Sequence, residues 1–97
     1  MTALELYFFK TEQEAKLKTI SNRFDTAEDA YYKAIDKYEA LSDEEYTAHA
    51  AEYDAELDRL EERRNDLREA VDSLNENIKL LTTLESNMKF LEGLGLA

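Results

Sequence analysis

Apolar residues recur along this chain at alternating spacings of three and four. In the first half they are Leu17, Ile20, Phe24, Ala27, Tyr31, Ala34, Tyr38 and Leu41. In the second they run from Tyr46, Ala50, Tyr53, Leu57 and Leu60 through Leu67, Val71, Leu74, Ile78 and Leu81. A 3.5-residue period is that of helices wound around each other with a left-handed twist. No Gly or Pro interrupts Met1 to Glu92, so any reversal must be written in capping chemistry.

"LSDEEY", residues 41–46, supplies it. Ser42 and Glu45 have the spacing of a capping box, in which each side chain satisfies the other's backbone N–H. Leu41 and Tyr46 flank the cap at hydrophobic-staple spacing, and Asp43, Glu44 and Glu45 suit the positive end of a helix dipole. The chain is therefore expected to be a single all-α domain, an antiparallel two-helix hairpin of coiled-coil type. Helix one spans about 11–40, or starts at 3, because Thr2 with Glu5 and Thr11 with Glu14 are both candidate caps. The turn is 41–42 and helix two spans about 43–81. Folding at Ser42 sets Tyr38 against Tyr46, Tyr31 against Tyr53, Phe24 against Leu60 and Leu17 against Leu67.

Near Leu81 the phase slips and Leu84, Met88 and Leu91 carry the stripe. Thr82 and Glu85 have capping-box spacing there, so a kink or a short third helix over 83–92 is expected, ended by Gly93. Arg64 occupies a seam position, where its stem packs while its head reaches outward. The alternative is a charge held at the seam that fixes register. Helix two, unbroken from Asp43 to Glu92, would be roughly 75 Å long at ~1.5 Å per residue. The end remote from the turn collects more apolar side chains than one two-helix seam can bury. Tyr7, Phe8, Phe9, Leu84, Met88 and Leu91 are the expected oligomerisation residues, and the chain is expected to be a homodimer.

Charge changes the picture further. The formal net charge is −11 over 97 residues. Fourteen acids against three bases lie between Asp25 and Glu62, and the remainder balances at nine of each. The heptad register turns Asp25, Asp29, Asp36, Glu39, Glu52, Asp58 and Glu62 away from the seam, with Tyr32 among them on the outer face. These eight are the expected partner-binding residues. So acidic a chain is not expected to bind nucleic acid directly or an anionic membrane, but a basic protein surface instead. No apolar run approaches the ~20 residues of a membrane span. "MTALELYFFK" lacks the basic region and cleavage site of a secretory signal, which points to the cytoplasm.

Catalytic chemistry finds little support. His49 is the single histidine, and Glu45 and Glu52 lie one turn either side of it. A di-iron bundle repeats E-x-x-H on paired helices, yet residue 46 is Tyr and no second histidine exists. There is no cysteine and no glycine-rich phosphate loop, and serine has no elbow or base partner. No cofactor or metal is expected, and the chain is not expected to be an enzyme.

In length and composition the chain resembles small acidic helical proteins of phages and mobile elements that mimic DNA, some anti-restriction and anti-CRISPR inhibitors among them. That resemblance implies a non-enzymatic inhibitor or regulator of a basic, nucleic-acid-binding protein. The alternative is a coiled-coil structural or assembly module, such as a phage morphogenesis factor or adaptor. Secreted helical-hairpin proteins whose turn carries Trp-x-Gly are similar in length and architecture. This turn reads "LSDEEY" and the chain has no Trp, so nothing is carried over from them.

Overall fold

The structure, a computed structural model, describes residues 1–96. It is an all-α hairpin of three helices, α1 (Ala3–Glu39), α2 (Asp43–Ala48) and α3 (Ala50–Gly93), with α1 and α3 packed against each other. No strand occurs among the described residues.

Helix α1 starts at the earlier of its two candidate caps. The Glu5 N–H donates to the Thr2 hydroxyl at 3.1 Å and the Thr2 N–H donates to the Glu5 carboxylate at 3.4 Å. The Ala3 N–H donates to the Glu92 carboxylate on α3 at 3.0 Å, so an otherwise bare donor of the first turn is satisfied from the other helix. Thr11 is an interior residue instead, its hydroxyl donating to the Tyr7 carbonyl at 2.9 Å. "LELYFF" is accordingly helix.

The Ser42–Glu45 capping box is formed, with donor–acceptor distances of 3.2 and 3.4 Å. The helix it opens is short, however. Where the sequence pattern suggests one helix from 43, the backbone leaves helical geometry at His49 (φ −131°, ψ 23°), and α3 restarts at Ala50. The His49 carbonyl accepts from the Glu52 and Tyr53 N–H groups at 3.0 and 3.1 Å, which begins the new helix. Packing explains the break. Seven residues along a straight helix separate Tyr46 from Tyr53 by about 10.5 Å, whereas their ring centroids lie 5.7 Å apart. Bending at His49 lets α2 fold its tyrosine back onto α3, where the Tyr46 hydroxyl also donates to Asp54.

This wider reversal moves the register. Tyr38 stacks on Tyr53 at 4.4 Å rather than facing Tyr46, Tyr31 meets Arg64, and Phe24 meets Arg68. The return helix is thus displaced by roughly two to three turns from the pairing that a turn at 41–42 implies.

No kink or separate helix occurs over 83–92. The Thr82 and Thr83 hydroxyls donate backwards to the Ile78 and Lys79 carbonyls at 2.8 and 3.2 Å, which consumes them inside a continuous helix. The helix ends at Gly93, as expected, and the left-handed cap position that closes it is the next glycine, Gly95. Gly95 adopts φ 71°, the Leu96 N–H donates to the Leu91 carbonyl at 2.9 Å, and the Gly95 N–H donates to the Glu92 carbonyl at 3.0 Å. That is a Schellman cap, whose left-handed position suits glycine.

The chain divides into two compact units. A terminal unit combines residues 1–20 with 70 onward, and a turn unit spans Ser21–Glu69. Ala3, Leu6, Gln13, Leu81 and Glu85 are buried in the first, and Ala27, Ala34 and Tyr38 in the second. No described side chain is less than 2 % exposed. Two helices make one seam and no enclosed layer.

Candidate interaction surfaces

In the turn unit the seam is built from aromatic rings and one guanidinium. Tyr38, 5 % exposed, donates its hydroxyl to Glu56. That hydrogen bond, helped by burial, pushes the phenol up to about 12. Tyr46 is shifted upward likewise by its bond to Asp54. The Arg64 guanidinium lies over the Tyr31 ring at 4.5 Å and 5.9 Å from the Tyr32 centroid, and reaches the Tyr32 hydroxyl at 3.5 Å. Its Nε is buried without a partner. The head therefore stays at the seam instead of reaching outward, because two tyrosine faces attract it there.

Asp25, Asp29, Tyr32, Asp36, Glu39, Glu52, Asp58 and Glu62 are all exposed. Asp29 pairs with Lys33 at 2.8 Å and raises the lysine pKa through that hydrogen bond. Glu52 lies 3.8 Å from His49, a pair that is ionic only when the imidazole is protonated. The other five acids form no ion pair among the described residues. Asp25, Asp29, Tyr32, Asp36 and Glu39 follow one another three or four residues apart, so they share a single face of α1. Glu52, Asp58 and Glu62 belong to α3. Both sets are exposed, and Tyr32 in the α1 row also borders the seam through its contact with Arg64.

The terminal unit is chemically different. All exposed large apolar side chains among the described residues, except Tyr32, belong to it. Tyr7, Phe8, Phe9, Leu84 and Leu91 are exposed and Met88 is half-buried. Phe9 lines a cleft with Gln13, Asn77, Leu80, Leu81 and Leu84. Phe8 packs edge-on to Tyr7, with centroids 5.7 Å apart, on the side of α1 away from the seam. The six expected oligomerisation residues therefore belong to more than one face.

A buried charge cluster also lies in this unit, and the sequence pattern does not reveal it. Glu85 is buried and accepts from Lys10 at 2.6 Å, with Lys89 at 3.2 Å. Both lysines hold its carboxyl below the usual range, and Glu85 in turn raises Lys10. Glu85 does not cap at Thr82, as the spacing suggests, but pairs with Lys10 on α1 and Lys89 on its own helix. The available signal was Lys10 itself, which continues the 3–6–10–13–17 seam and needs a carboxylate opposite.

Among the described residues no three His, Cys, Asp or Glu side chains are placed to hold a metal ion, and no helix is long and apolar enough to cross a membrane. Comparison with family models, with curated proteins and with solved structures gives no match.

Proposed function

We propose that this chain is a non-enzymatic binding protein whose acidic turn unit occupies a basic surface on a protein partner and so inhibits or regulates it. The partner class this chemistry favours is a protein whose basic groove ordinarily takes nucleic acid. The reading rests on the row Asp25, Asp29, Asp36 and Glu39, exposed on one face of α1 with Tyr32 among them. Carboxylates one helical turn apart stand ~5–6 Å from each other, and a line of such charges meets a groove built for phosphates with the right sign and a comparable spacing. The row offers charge together with an aromatic ring, the two residue features a basic interface with a stacking or cation–π contact takes up.

Exposed leucines and phenylalanines in the terminal unit favour a second reading, a coiled-coil assembly module that joins partners through apolar contacts. Homodimerisation is compatible with both. The deciding experiment neutralises Asp25, Asp29, Asp36, Glu52, Asp58 and Glu62 to Asn or Gln together. Wild-type protein used as bait in a lysate of its native host should retain a basic protein. The six-fold variant should keep its helical circular dichroism and lose that partner, while neutralising Asp66, Asp72 and Glu76 should not. Equal retention by the six-fold variant contradicts the acidic-surface reading.

A further inference from the structure

On α3 a second line of residues follows the same alternating three-and-four spacing as the seam, one third of a turn away from it. Leu80 and Leu84 form its middle, 62 % and 50 % exposed. Asn77 and Asn87 flank them, both exposed. Ser73 and Leu91 come next, and Ala70 and Leu94 close the line. The line forms one wall of two neighbouring clefts, whose other wall on α1 includes Phe9, Lys16 and Ile20. Heptad spacing on an exposed face is the pattern of a helix awaiting another helix.

The order of residues along this line says which helix. Its four central positions, Asn77, Leu80, Leu84 and Asn87, read the same backwards, and its outer positions pair a small residue with a leucine. Antiparallel coiled coils set each position of one kind opposite one of the other kind, and here that places Leu80 against Leu84 and Asn77 against Asn87. Ser73 then meets Leu91, and Ala70 meets Leu94. Leucine faces leucine, amide faces amide, and each small side chain faces a large one, which is how facing layers interdigitate. A two-fold contact requires this reciprocity, since residue i touching j means j touches i. We infer that the face is the dimer interface and that its occupant is the same face of a second copy, antiparallel, with the two-fold axis between Leu80 and Leu84.

Charge and area agree. The terminal unit holds seven acids and five bases, against sixteen and seven in the turn unit, so two copies meeting here repel little. Phe9 and the four leucines, each roughly half exposed, bare on the order of 500 Å² between them. The polar flanks bring the buried surface towards the ~800 Å² per partner of a standard interface. Asn77 against Asn87 satisfies amides that would otherwise be buried unpaired, and a polar layer of this kind fixes register.

This inference rests on the homodimer part of the proposed function and not on what the acids bind. Its test exploits the absence of cysteine. Asn77→Cys and Asn87→Cys are made separately, then oxidised mildly alone and mixed, and read on a non-reducing gel. Within one chain the two positions lie about 15 Å apart along the helix, too far for a disulfide. The mixture should cross-link at least tenfold faster than either variant alone. Wild type should sediment at twice the chain mass, and Leu84→Glu should sediment as a helical monomer. Either cysteine variant cross-linking alone as fast as the mixture overturns the antiparallel arrangement and leaves the homodimer standing. Dimeric Leu84→Glu removes this face from the contact. Wild type that is monomeric at ~100 µM overturns the homodimer and this inference together.

Discussion

Replacing Arg64 with Met and Tyr31 with Leu, singly and together, isolates the contact that most directly reports the observed register. The guanidinium carbon lies 4.5 Å from the Tyr31 centroid, well inside the ~6 Å reach of a cation–π pair. Exposed pairs of this kind contribute ~0.5–1 kcal/mol and desolvated ones ~2 kcal/mol or more. Arg64 is half-buried with a fully enclosed Nε, so a coupling energy of about 1–2 kcal/mol is expected. The single Arg64→Met change should look milder. It loses the cation–π contact but also removes a buried donor without a partner, whose burial costs ~1–3 kcal/mol. Its net effect should therefore lie near zero, and only the cycle reveals the interaction. Urea unfolding of the four proteins, followed by helical circular dichroism, measures it. Distant, independent sites add to within ~0.3–0.5 kcal/mol, so a coupling inside that range would refute the placement of Arg64 over Tyr31. A parallel cycle on Tyr31 and Tyr53 should show no coupling, and one on Tyr38 and Tyr53, stacked at 4.4 Å, should.

Other expectations follow from the caps and the titrating groups. Ser42→Ala removes the hydroxyl that caps α2 and should lower stability by ~0.5–2 kcal/mol, whereas Thr82→Ala, an interior back-bonded position, should do much less in the same melt. Tyr38 has its phenol raised from 10.0 to about 12, so its contribution is complete below pH 10 and is lost as pH climbs from there to about 12. Tyr38→Phe should flatten that alkaline limb, and an unchanged limb would contradict the Tyr38–Glu56 bond. Glu85 is lowered from 4.5 by its two lysines, so its contribution is present above that value and disappears as pH falls below it. Glu85→Gln should make the acid limb shallower, measured as melting temperature between pH 5 and 2.

The helical hairpin was legible because its evidence is periodic and local. Seam spacing, the Ser42–Glu45 box and the Thr2–Glu5 box each need only residues a turn or two apart. Register was not legible, because it depends on how much chain the reversal consumes. That was decided by Tyr46 folding onto Tyr53 and Asp54, a tertiary choice that breaks a sequence with no helix breaker at His49. Thr82 misled for a related reason. Threonine caps a helix or bonds back into one with equal chemistry, and only the surrounding packing selects between them. Outward placement of the acids was readable from the heptad phase. Their division between two helices was also implicit in the hairpin, since Asp25 to Glu39 precede the turn and Glu52 to Glu62 follow it. Arg64 shows the limit of a pattern argument, because aromatic neighbours from another helix hold a charge that spacing alone would send to solvent.

Salt dependence of partner binding tests the central claim most directly. With the partner retained by wild-type bait in hand, its affinity for this chain is measured by titration from ~50 mM to ~500 mM salt, spanning Debye lengths from well above to well below the ~10 Å at 0.1 M. A contact led by the carboxylate row on α1 should weaken by orders of magnitude across that range, and the six-fold neutralised variant should bind weakly with little slope. A wild-type affinity that stays flat as salt rises would contradict the account, leaving the acids to solvation and the partner to the apolar faces.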